Sequence, residues 1–160
     1  MIYGFGNPGR QDDGLGVAFA ERLEQWAESE NIRNIEFDTN YQLNIEDAEV
    51  LSNHDLVIFA DASVEETDSF YISRITGNAD ATFTTHAASP EYIVYLCESL
   101  FHRKPAAFLL HIKGYEWEMK EGLTGKAGKN LVRALDRCKD VLRSEDVLTE
   151  LNKLTSTENV

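Results

Sequence analysis

The sequence predicts an α/β domain, a three-layer α/β/α sandwich around a mostly parallel twisted sheet. Three observations predict it. Short apolar runs alternate with amphipathic segments along the chain, the pattern of strands connected through helices. Leu56-Val57-Ile58-Phe59-Ala60 is continuously apolar, as expected of a central parallel strand covered on both faces. The amphipathic segments repeat apolar residues at helical spacing, as in Leu131, Ala134, Leu135, Cys138 and Leu142.

The elements follow in order. Ile2–Gly6 reads as a short strand, and Asp13–Glu28 as a helix with Val17, Ala20, Leu23 and Ala27 along one face. Ile32–Asp38 is expected as a strand and Asn44–Ser52 as a short helix capped by Asn44. Leu56–Ala60 is the central strand, ending in Asp61, and the alternation in Phe70–Ile75 suits an edge or antiparallel strand. Ser89-Pro90-Glu91 opens a helix, with Ser as cap and Pro in the first turn. Ala106–Ile112 is another buried strand, and Thr124 is placed to cap a last helix running to about Arg143.

A chain of 160 residues suits one domain, here residues 1–145, followed by a polar tail, 146–160, that adds a turn or is loose. With 42% hydrophobic and 27% charged residues the composition is that of a globular protein rather than a disordered one. The formal net charge of −13 argues against nucleic acid, whose phosphates require a clustered basic surface, and fits a cytoplasmic protein with a basic or neutral partner. Solubility alone also accounts for such a charge. Cys97 and Cys138 form no C-x-x-C pair and sit at apolar helical positions, so both read as reduced core residues. The opening Met-Ile-Tyr-Gly-Phe-Gly has no basic or long apolar region, so no signal peptide is expected, and no stretch is long enough for a membrane span.

Ligands in open α/β sheets bind beyond the carboxyl ends of the strands. Asp13 follows the first strand, Asp61 ends the central one, and His86 closes Phe83-Thr84-Thr85-His86 before the Ser89 helix. Two carboxylates and an imidazole at such loops suit one divalent ion, zinc, nickel or cadmium, with positions left for water or a substrate atom. Each residue has a plainer reading as well. Asp12 or Asp13 serves as a helix cap, Asp61 as a strand-end polar group, and His86 as a surface or hydrogen-bonded histidine.

Gly4-x-Gly6-x-x-Gly9 has dinucleotide-binding spacing, but Pro8 interrupts it, and Asp12-Asp13 put carboxylates where a pyrophosphate would sit. A cation is favoured there over a phosphate. Neither a G-x-S-x-G elbow nor an H-E-x-x-H helix occurs. His54 and His111 are expected to pack, and His102-Arg103-Lys104 to form a solvated helix end.

At these motifs the chain resembles the hydrogenase maturation proteases. Gly4-Phe5-Gly6-Asn7 with Asp12-Asp13-Gly14-Leu15-Gly16-Val17 carries the likeness. So do Ile58-Phe59-Ala60-Asp61-Ala62, and Thr84-Thr85-His86 with the helix containing Tyr92, Ile93 and Leu96. Gly114-Tyr115-Glu116 and Gly122-Leu123-Thr124 add a weaker match, and the motifs span roughly residues 1–140. Some relatives carry Glu where Asp13 stands. Many have a Gly-rich turn where this chain has Asp38-Thr39-Asn40-Tyr41-Gln42-Leu43, which with Asn44–Ala48 resembles the branch serving cytosolic NAD(P)-linked hydrogenases.

The resemblance implies a phosphorylase/hydrolase-like version of the fold. It also implies an aspartyl-type endopeptidase that trims the C-terminus of the nickel-iron hydrogenase large-subunit precursor after nickel insertion. It puts the metal-binding and catalytic groups on Asp13, Asp61 and His86, with nickel carried by the substrate and zinc or cadmium able to take the site in vitro. The protein is expected to be a monomer without nucleic-acid or membrane partners. Two alternatives remain. One is a metal-sensing checkpoint that binds the precursor without cutting it. The other is a peptidyl-tRNA hydrolase, whose opening strand and loop resemble Gly4–Gly9. That family's Arg-His-Asn segment is missing here, and the net charge opposes tRNA.

Overall fold

The computed structural model describes residues 1–81, 83–84 and 87–156. Its strands are β1 (Ile2–Phe5), β2 (Phe37–Asn40), β3 (Leu56–Ser63), β4 (Phe70–Ile75), β5 (Phe83–Thr84), β6 (Ala87–Ala88) and β7 (Ala106–Lys113). The helices are α1 (Leu15–Ser29), α2 (Asp47–Leu51), α3 (Pro90–Phe101), α4 (Gly125–Arg143) and α5 (Val147–Ser156). Five strands form one sheet in the order β2-β1-β3-β7-β4, parallel except for the antiparallel edge strand β4.

Strand alternation divides the core into two layers. Ile58, Ala60, Phe108, Leu110 and Ile112 face α1, α4 and α5. Val57, Phe59, Ala107 and Leu109 face α2 and α3. Both faces of β3 and β7 are therefore covered, which is why their sequences are apolar without alternation. The three-layer sandwich is the expected one.

Several boundaries differ from expectation, each for a local reason. The first helix begins at Leu15, because Gln11–Gly14 form a 3-10 turn opened by Gln11 at φ +46°. The second strand is Phe37–Asn40 rather than Ile32–Asp38: Asn31, at φ +57°, ends α1, and the Ile32 N–H donates to Ala27 O at 2.9 Å. Ile35 instead packs against the core from a loop. Asn44 does not cap α2; its own N–H donates to the Asp47 carboxylate at 2.7 Å. β3 continues through Asp61 to Ser63.

The segment expected as a polar tail contains α5. Asp146 accepts from the Thr149 N–H at 3.0 Å and the Thr149 hydroxyl at 2.7 Å, and Leu151 is buried in the core. The pair β5–β6 was not anticipated; it is antiparallel, Thr84 opposite Ala87. Ser89 and Thr124 cap α3 and α4 as read from sequence. Cys97 and Cys138 are buried thiols, and burial raises their pKa to about 11 and about 12. No described helix is long and apolar enough to cross a membrane.

Candidate active site

The carboxyl ends of β1 and β3 meet under the start of α1. Gly16 lies against both strands: a Cβ there would sit 2.2 Å from Ala60 O and 2.4 Å from Phe5 O. No larger residue allows this approach. Gly6, at φ +132°, similarly admits the Asp13 carbonyl, which lies 2.0 Å from where a Cβ would stand. The glycines of the first motif are thus contact points that draw the turn bearing Asp13 onto the strand end bearing Asp61.

The Asp13 carboxylate accepts from the Asn7 N–H at 3.0 Å, and Asp61 from its neighbour Ala62 N–H at 2.8 Å. Both side chains are partly buried. Burial pushes the Asp61 pKa up to about 7; the Ala62 N–H opposes the rise and the charge on Asp13 adds to it. Among the described residues neither carboxylate is in an ion pair. Two coupled, unneutralised oxygen donors fit a divalent cation. Among the described residues, however, no three His, Cys, Asp or Glu groups are arranged to hold a metal. His86 lies outside the described residues.

Asp12 has a different part. It is fully buried, and its carboxylate accepts from Thr124 N–H at 2.7 Å, Tyr115 N–H at 2.8 Å, Glu116 N–H at 3.2 Å and the Thr124 hydroxyl at 2.8 Å. Gln11 adds to the same loop, donating to Glu116 at 3.0 Å and accepting from Glu118 N–H at 3.2 Å. Asp12 is therefore a clasp between the Asp13 turn and the segment ahead of α4, not a cap of α1. The joining of Gly114-Tyr115-Glu116 and Gly122-Leu123-Thr124 to the first motif has this structural basis.

His111, which sequence reasoning assigned to packing, is the register partner of Asp61 across β3 and β7. Its ring stacks on Tyr71 at 4.1 Å and its Nε2 lies 2.8 Å from Ser73 Oγ. Burial lowers its pKa, against the raising effect of Glu65 and Glu91. The signal that would have found it is strand register: aligning the apolar runs Leu56–Ala60 and Ala106–Leu110 places His111 beside Asp61. His54 pairs with Glu36 at 3.1 Å near the opposite end of the sheet.

No protein-family model matches the sequence, and no curated protein does. Solved structures do. The hydrogenase maturating endopeptidase HybD from Escherichia coli is 22% identical over 89% of this chain and 90% of that one, with a TM-score of 0.64. The hydrogenase maturation protease HycI from Thermococcus kodakarensis KOD1 is 20% identical over 89% and 91%, with a TM-score of 0.70. HybD from Thermococcus kodakarensis is 16% identical over 88% and 96%, with a TM-score of 0.57. At these identities the likeness is one of fold, and it runs over nearly the whole of each chain. The chain has the fold of the hydrogenase maturation proteases.

Proposed function

We propose that this protein is an endopeptidase that removes the C-terminal extension of a nickel-iron hydrogenase large-subunit precursor after nickel insertion. The observation that carries the reading is the coupled pair Asp13 and Asp61 at the carboxyl edge of this fold, with no cationic side chain to neutralise it among the described residues. The precursor brings nickel as part of the substrate, where the ion supplies Lewis acidity at the adjacent carbonyl. Asp13, Asp61 and His86 are the donors we assign to it, and zinc or cadmium fits the same donors in vitro.

One of the two carboxylates serves as general base. It takes a proton from water as the water oxygen bonds to the scissile carbonyl carbon, and the proton passes to the departing amide nitrogen as the C–N bond breaks. An acid whose pKa stands at about 7, as that of Asp61 does, is suited to both halves of that transfer at neutral pH. On this reading the protein works in the cytoplasm as a monomer and recognises a loaded metal centre rather than a side-chain sequence.

The test is incubation with nickel-loaded precursor, nickel-free precursor and the free C-terminal peptide, with products weighed by mass spectrometry. Cleavage of the loaded precursor alone is expected, and Asp61→Asn should lower the rate by about 100-fold or more while the circular dichroism is unchanged. Equal rates on all three substrates would identify an ordinary sequence-reading peptidase. Tight binding without any mass change would identify a non-cleaving checkpoint.

A further inference from the structure

We infer that the outer face of α4 is a docking surface for an acidic segment of the substrate protein. This rests on the proposed protease function and adds where the body of the substrate lies. In a chain of net charge −13, α4 carries Lys126, Lys129, Arg133, Arg137, Lys139 and Arg143 of 15 basic residues. Lys139 and Arg143 are occupied, both lying over the Trp26 ring and Arg143 pairing with Glu30 at 3.7 Å. The other four are exposed and recur at the spacing of one helix face. From Lys126 to Arg137 the stripe runs for about 16 Å.

At its N-terminal end the stripe works against the helix. Lys126 and Lys129 stand near the N-terminus, where the helix dipole disfavours cations and where α4 has no acidic residue in its first turn. Lys129, Arg133 and Arg137 follow one another at four-residue spacing, so each repels the next. Lys126 lies over the Tyr115 ring at 5.4 Å, but Lys129, Arg133 and Arg137 make no ion pair or ring contact among the described residues.

Beside the stripe is a shallow depression of about 460 Å³ lined by Gly125, Gly128, Lys129, Val132 and Arg133. A Cβ at Gly125 or Gly128 would meet nothing within 4 Å, so packing inside this chain does not require either glycine. Glycine weakens a helix relative to alanine, and what it provides here is an open floor against which a partner's backbone fits. Val132, exposed at 48%, forms part of the wall.

Charge complementarity selects an acidic polypeptide. A nucleic acid presents a long phosphate track, which the net charge of −13 opposes, whereas a short acidic segment needs only the four cations between Lys126 and Arg137. The N-terminal end of α4 is tied to the Asp13 turn, because Thr124, its cap, is bonded to Asp12. On this proposal the cut end rests at Asp13 and Asp61, and the body of the substrate passes the N-terminal end of α4 and follows its outer face. The acidic site end and the basic helix together fix its direction.

The test compares wild type with K129E/R133E/R137E and with Gly128→Leu, which fills the depression, using nickel-loaded precursor. KM is expected to rise about tenfold or more in each variant with kcat within about twofold, and only the charge variant should lose the salt dependence of KM. KM unchanged within twofold overturns the proposal. So does self-association of wild type abolished in the charge variant, or binding of a DNA duplex abolished there. Precursor binding is measured separately by interferometry. If wild type cleaves nothing, the protease reading fails; a Kd weakened tenfold in the variants still upholds the surface, and an equal Kd overturns it.

Discussion

Asp61 and His111 are register partners on the neighbouring strands β3 and β7, and burial acts on them in opposite senses, holding the proton on Asp61 and driving it from His111. The pH dependence of stability follows. The folded pKa of Asp61, about 7, lies above the unfolded value of about 3.9, so the native state binds the extra proton. Its contribution is fully present below about pH 4 and is lost as pH rises to about 7. Urea unfolding of wild type and Asp61→Asn across this range should converge in acid and diverge upward, the variant gaining on the order of 2–4 kcal/mol by pH 8. Parallel curves at all pH values would mean that Asp61 titrates as an exposed acid.

His111 contributes with the other sign. Its lowered pKa stabilises the fold above about pH 6.5, and that stability is lost as the pH falls through the folded value. In His111→Gln the loss between pH 6.5 and pH 5 should be smaller than in wild type when followed by thermal unfolding. An unchanged acid limb in the variant would show that the imidazole is solvated.

Asp12 should matter more for stability than either. Replacing it by alanine leaves the Tyr115, Glu116 and Thr124 N–H groups without their carboxylate, and the loss should be about 2–5 kcal/mol by urea unfolding. Asp12→Asn, which retains one acceptor oxygen, should lose less. Amide exchange should speed up at residues 115, 116 and 124 before it does in β3. Protection unchanged there in Asp12→Ala would refute the clasp.

Leu151 tests the anchoring of α5. It is 1% exposed and packs in the core formed with α1 and α4. Leu151→Ala should destabilise the protein by about 2–4 kcal/mol, whereas Leu148→Ala, 41% exposed, should change stability by less than about 0.5 kcal/mol. Equal effects would mean that the helix is held from its outer face.

The parts of this molecule legible in sequence are those encoded by local pattern. The apolar run Leu56–Ala60, the cap-proline start at Ser89-Pro90 and the helical stripe of α4 each carry their own signal. Asp13 and Asp61 were singled out from sequence because each follows an apolar run; the structure puts Asp13 in the 3-10 turn after β1 and Asp61 within the last residues of β3. Asp12 was not, since its partners lie more than 100 residues away and nothing near it marks them. Phe37–Asn40 was misplaced because pairing with β1, not local apolarity, decides which residues of that edge strand are extended. The α5 helix was readable, with Val147, Leu151 and Leu154 at helical spacing behind Asp146, but the polar residues between them obscured it. His86 belongs to a segment outside the described residues.

The bond between Asp12 and Thr124 joins positions separated by 112 residues. While the chain is being synthesised, the turn that carries Asp13 emerges early and has no clasp until Thr124 has left the ribosome. A chain that stops before Thr124 therefore leaves the Asp13 turn without this clasp. The order of synthesis thus sets the order of assembly: the turn after β1 is fixed only once the cap of α4 has been made.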